Sequence, residues 1–222
     1  MATITALWLI RCLLGGTLRF YGFVVANTFL AFIPLLVEPV FGLIYANMSD
    51  WKAKICNFMA AAIWLLFLPN AFYILTDFMH LNGRVLVNAR SDSHNFAIQY
   101  SRGDGLYTFD SLMLLTATVI GAYAGGLALV HAFILFKKHT SLVKAHLVIG
   151  ATMLLAGIGV YIGRFGRWNS WEGLTHPVNI ICDLVNTVSA SATRERFLLV
   201  ILTIFLLQCM SFWIVSQREL RP

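Results

Sequence analysis

Long apolar runs, several reaching the roughly twenty residues that cross a bilayer, recur along this chain between short polar turns. Inside hydrocarbon a backbone must satisfy its own hydrogen bonds, and runs of this length do so only as helices. Six such segments are read, at about 4–18, 20–46, 55–76, 108–136, 142–163 and 197–216. The first is short and carries Arg11 near its middle, so it either spans or lies along the interface and leaves five spans. Of the 222 residues 59% are hydrophobic and 12% charged, against roughly 45–50% and 25% in soluble domains. The longest polar stretch, residues 80–107, is too short for a separate domain. The expected fold class is therefore all-α: one polytopic transmembrane helical bundle over residues 1–222.

Charge fixes an expected orientation. One set of connections, with the C-terminus, holds seven lysines and arginines against two acids, and includes all five lysines (Lys52, Lys54, Lys137, Lys138 and Lys144). The other set, loops 77–107 and 164–196 with Arg19 and the start of the fourth span, holds eight arginines against seven acids. The positive-inside rule makes the first face cytoplasmic and the second extracytoplasmic. Both termini are then cytoplasmic if all six segments span. The net charge of +6 reflects this asymmetry rather than a nucleic-acid partner. No P-loop or Rossmann glycine pattern is present. No removable signal peptide is expected either, because the N-terminus lacks a basic region and a small-residue cleavage site. Cys12, Cys56, Cys182 and Cys209 are scattered and suggest neither a disulfide framework nor a thiolate metal site.

Two polar constellations stand on the extracytoplasmic side. In the first, Asn70, Tyr73, Asp77 and His80 are spaced i, i+3, i+7 and i+10, which stacks them on one face if the helix continues. Pro69 should kink that helix, and Asn70 can donate to the carbonyls the kink frees, which is a purely structural use for both. Asp77 and His80 lie beyond that need. They are candidates for a general acid/base pair, for two ligands of a divalent metal, or for an interface anchor. In the second constellation Arg164, Arg167, Trp168, Asn169, Ser170, Trp171 and Glu172 close the fifth span. Tryptophan and arginine there can form an ordinary headgroup belt. Alternatively, the guanidinium forks can clamp a phosphate or carboxylate, with Asn169, Ser170 and Glu172 adding polar groups a belt does not require. Arg164 or Arg167 could also simply neutralise Asp77. A metal set could draw on Asp77, His80, Glu172, His176 and Asp183, but no HExxH-type spacing supports it, and no cofactor is expected. Asp110 opens the fourth span where a carboxylate suits the helix dipole. Glu38 is either a buried ionisable site or a group reaching water, and His131 belongs to an ordinary helix end. Gly121 and Gly125, and again Gly159 and Gly163, have the spacing of close helix packing, within one chain or in a homodimer.

The stretches 68–81, LPNAFYILTDFMHL, and 161–172, YIGRFGRWNSWE, resemble the DUF1361 family of small bacterial membrane proteins. That family's pattern reads L-P-N-A-P-Y-I-x-T-D-L-x-H-L, then G-R-F-x-R-x-N-S-W-D, in the same order and across a similar set of spans. The chain departs at Phe72, where the family has Pro, and at Glu172, where it has Asp. The resemblance implies an integral protein of the bacterial plasma membrane and supplies no activity. Its motif residues coincide with the two constellations. Three functions are open: binding of a lipid headgroup or a partner subunit, an enzyme acting on a lipid-linked anionic amphiphile, and a small transporter.

Overall fold

A computed structural model describes residues 1–15, 22–45, 51–82 and 105–219, without the side chains of 39–45, His80 and Asn82. Every regular element among them is helical: α1 (Ala2–Gly15), α2 (Gly22–Tyr45), α3 (Trp51–Tyr73), a 3-10 extension (Ile74–Asn82), α4 (Gly105–His139), α5 (Leu142–Tyr161), a π-helical turn (Ile162–Gly166), α6 (Glu172–Thr175), α7 (Pro177–Ser189) and α8 (Ser191–Glu219). Among the described residues four helical stretches are long and apolar enough to cross a membrane, Trp51–Met79, Gly105–His139, Leu142–Gly166 and Ser191–Glu219, with shorter apolar stretches at Ala2–Leu14 and Gly22–Glu38 beside them. Their outward faces carry large hydrophobics, such as Leu112, Leu115 and Val119 on α4 and Leu198, Leu202 and Leu206 on α8. Such a surface suits hydrocarbon rather than water, as expected of an integral membrane protein.

The expected loop 164–196 is mostly helix. Pro177 starts α7 at a first-turn position, where its missing N–H costs nothing. Apolar Val178, Ile181, Val185 and Val188 then follow at helical spacing and remain exposed. The expected loop 77–107 begins as 3-10 helix to Asn82, and residues 83–104 lie outside the described residues. The turn between α4 and α5 is tight because Ser141 caps α5, its Oγ accepting from the Lys144 N–H at 3.4 Å.

Helix α4 is the central post, packed against α1, α2, α3, α5 and α8, and it is the most deeply buried of the long helices. Small residues allow this. A Cβ at Gly121 would lie 2.6 Å from the Ala71 carbonyl oxygen, and one at Gly125 2.6 Å from the Phe72 ring. On its other flank, a Cβ at Gly126 would approach the Ser211 carbonyl oxygen of α8 to 2.9 Å. On α5, one at Gly159 would meet the Pro69 ring at 2.7 Å. The paired glycines of α4 and α5 therefore serve helix packing within one chain.

Arg11, the residue that made the first segment doubtful as a span, is buried together with Asp110. Its Nε donates to the Asp110 carboxylate at 2.6 Å, and the two side chains are 2% and 0% exposed. The pair pins α1 to α4, and because α4 starts already at Gly105, Asp110 stands beyond the first turn where a carboxylate would complement the helix dipole. Asp110→Ala takes the carboxylate away from a buried guanidinium and should destabilise the bundle by about 3–5 kcal/mol. The double change Arg11→Met/Asp110→Leu should recover most of that loss, with thermal unfolding in detergent as the readout.

Candidate functional site

Pro69 sits in α3 without ending it, and the helix continues to Tyr73 before tightening into the 3-10 extension. The Asn70 amide donates to the Phe67 carbonyl at 3.2 Å and also reaches across to α5's outgoing turn, donating to Ser170 Oγ at 3.0 Å. It is thus a bridge as well as a local patch. Thr76 turns back on its own helix, its hydroxyl donating to the Tyr73 carbonyl at 2.6 Å. Asp77 is 1% exposed and accepts from Asn27 Nδ2 at 2.9 Å and from Arg164 at 3.4 Å. The Arg164 guanidinium also lies 5.8 Å from the centre of the Tyr73 ring, a cation–π distance. Asn27, one polar residue in the apolar run of α2, had given no sign of this role in the sequence.

The facing end of α5 widens as the end of α3 tightens. Residues Ile162–Gly166 make a π turn, a feature that recurs at functional sites. Arg167 then caps it in the left-handed conformation, with φ 58° and its N–H donating to the Ile162 carbonyl. Glycine is the usual residue at such a position, and a side chain there costs of order 1–2 kcal/mol. The Arg167 side chain makes no hydrogen bond or ion pair among the described residues. Asn169 and Glu172 close the next turn reciprocally: the Glu172 carboxylate accepts from the Asn169 backbone N–H and from its Nδ2 at 2.9 Å, while the Glu172 N–H donates to the Asn169 carbonyl at 2.9 Å. Trp168 donates from Nε1 to Asp183 of α7 at 2.8 Å. His176 precedes α7, its Nδ1 2.8 Å from Thr175 Oγ1.

The two constellations therefore form one place. A cavity of about 790 Å³ lies between α2, α3, α5 and the 167–173 turn. Its polar end is lined by Asn27, Asn70, Tyr73, Arg164, Arg167, Asn169 and Ser170, with Trp168 and Trp171 beside them, and its apolar end by Leu30, Leu65, Leu66 and Leu155. Two arginines and no acid are among the described lining residues, because Asp77 lies behind Arg164. The sequence candidates do not all converge here. Glu172 is occupied in its turn, His176 stands with Thr175 and Asp183 with Trp168. The side chain of His80 lies outside the described residues. Among those residues no three of His, Cys, Asp and Glu gather as metal ligands.

Tethering of Arg164 by Asp77 is open to direct measurement. In a double-mutant cycle of Asp77→Asn and Arg164→Gln, unfolding free energies should be non-additive by about 0.5–3 kcal/mol. Additivity would mean that the two groups do not interact.

No curated protein and no solved structure matches the chain. A family model does, the one described as "Protein of unknown function (DUF1361)", over residues 26–210. That match takes in α3, both constellations and most of α8, so the chain is a member of the DUF1361 family.

Proposed function

We propose that this protein spans the bacterial plasma membrane six times, with both termini cytoplasmic. On its extracytoplasmic side it holds the anionic headgroup of an amphiphile. The lysine-rich connections support the orientation. The Arg11–Asp110 pair supports six crossings, because it brings the far end of α1 to the end of the bundle where α4 starts.

The observation that carries the binding reading is the cavity's division into two ends. Arg164 and Arg167 stand at one end with amides and a hydroxyl, and leucines of α2, α3 and α5 form the other. A headgroup bearing phosphate suits the guanidinium forks, and an acyl or prenyl chain suits the leucines. Arg164 is held in place by Asp77 and Tyr73, which is the preorganisation a binding site needs. Binding is favoured over catalysis because Asp77 is spent on positioning Arg164 and presents no base to the cavity. Transport is disfavoured because Leu68, Leu114, Ile149, Met153 and Ile204 fill the middle of the bundle with apolar packing.

Arg167 gives a test that separates binding from folding. Arg167→Gly should leave thermal unfolding unchanged or raise it, since glycine relieves the left-handed backbone. The same change should weaken retention of dioleoyl phosphatidic acid by about tenfold to a hundredfold in native mass spectrometry, the loss of one or two charge-assisted hydrogen bonds. Wild-type protein should prefer phosphatidic acid to phosphatidylcholine. Equal retention of both lipids, or unchanged retention by Arg167→Gly, would contradict the proposal.

A further inference from the structure

A second cavity, of about 830 Å³, opens toward the other end of the bundle between α2, α3, α4 and α5, and shares only Leu65 with the first among the described lining residues. Its walls are mostly aliphatic, with Leu35, Leu127, Ile134, Leu135 and Val148 among them. Three polar side chains stand together inside this apolar frame. His131 Nδ1 is 2.6 Å from Glu38 Oε2. The other carboxylate oxygen, Oε1, is buried with no hydrogen-bond partner among the described residues. The indole Nε1 of Trp64, a residue 8% exposed, is likewise buried without a hydrogen bond of ordinary geometry, although it faces the same carboxylate.

A buried acceptor without a partner, beside a donor poorly aligned on the same carboxylate, is costly unless something fills both. Their chemistry narrows the choice. An ammonium can donate to Glu38 but cannot accept from Trp64, and it would meet Lys138 on the lining. A carboxylate or phosphate can accept from Trp64 but opposes the Glu38 carboxylate. A hydroxyl does both at once, donating to Oε1 and accepting from Nε1. The aliphatic walls require that this hydroxyl be carried on an apolar body, and the volume is that of a typical small-molecule site.

We propose that this cavity is a binding site for a neutral, hydroxyl-headed apolar molecule, with Glu38 and Trp64 as its two hydrogen-bonding groups. The site is separate from the arginine cavity and does not depend on what that one binds. The shared chemistry covers glycerolipid alcohols such as diacylglycerol and simple long-chain alcohols.

The full-length chain in mild detergent is titrated with 1,2-dioleoylglycerol, its O-methyl ether, 1-hexadecanol, oleylamine and oleic acid, and retained ligand is read by native mass spectrometry. Dioleoylglycerol should be retained at one per chain. Its methyl ether, the ammonium and the carboxylate should bind at least about tenfold more weakly, since the ether cannot donate to Glu38, the ammonium cannot accept from Trp64 and the carboxylate is opposed by Glu38. Retention of hexadecanol as well identifies a site for any hydroxyl-headed chain, whereas its loss points to a glycerolipid. Trp64→Phe keeps the ring and removes the N–H, and should cost dioleoylglycerol about tenfold. Should that variant not fold, Ala132→Phe fills the cavity from α4 and must abolish retention. Equal binding of the methyl ether, full retention by both variants, or no retention by the wild type would overturn the proposal, the last leaving water alone to bridge the two groups. Saturating dioleoyl phosphatidic acid, the probe of the arginine cavity, should not displace dioleoylglycerol, so the two proposals fail independently.

Discussion

The close approach of α3 to the glycine faces of α4 and α5 governs the whole site. Ala71 and Phe72 seat on Gly121 and Gly125, and Pro69 seats on Gly159. With α3 held that near, the Asn70 amide reaches Ser170 and the Asp77 carboxylate reaches Arg164. A Cβ at Gly121 would run into the Ala71 backbone carbonyl itself, so α3 would have to shift and those contacts would be disturbed. Association in hydrocarbon depends on this kind of packing, because lipid tails are as apolar as leucine and nothing else forces helices together.

The same solvent explains why the buried charges come in company. Arg11 with Asp110, Asp77 with Asn27 and Arg164, and Glu38 with His131 each join different helices. An unpaired ionisable group at such depth is expensive, so each polar residue selects a neighbour and thereby a helix arrangement. Helix α4 takes part in two of the three, which agrees with its central place, and the π turn that follows α5 takes part in the third. Arg167 is the exception. It keeps a left-handed backbone and, among the described residues, a side chain without a partner at the rim of the cavity. The left-handed backbone costs stability, and an anionic ligand would explain why an arginine rather than a glycine stands there.

Much of this was legible in the chain. Run lengths gave the helices, and the spacing of Gly121, Gly125, Gly159 and Gly163 gave the tight packing, though not that it lies within one chain. The polar stripe 70–80 and the turn 164–172 were recognisable as unusual, but their union was not, because one sequence carries no distance between α3 and α5. The stripe shares one face only if the α-helix continues through it. From Ile74 the 3-10 winding turns each residue further, so Asp77 stands roughly 80° beyond its α-helical bearing from Tyr73. It then lies behind Arg164 instead of beside Tyr73 on the cavity wall. Helix α7 was missed because Asn179, Asp183 and Asn186 make the stretch look like a polar loop. Pro177 and the 178, 181, 185, 188 spacing were the signals that could have found it. Asn27 gave no such signal, since one amide in an apolar run has no period.

The central claim is that the end of α3 and the turn after α5 make one anion-binding site. The most direct test is an electron cryomicroscopy map of the protein reconstituted with dioleoyl phosphatidic acid. The account predicts phosphate density within hydrogen-bond distance of Arg167, close to Arg164 and Ser170, with the acyl chain running down toward Leu65 and Leu155. It would be contradicted by a map in which the 69–77 segment and the 164–171 turn face separate lipid surfaces. A headgroup bound elsewhere while this cavity stays closed would contradict it equally.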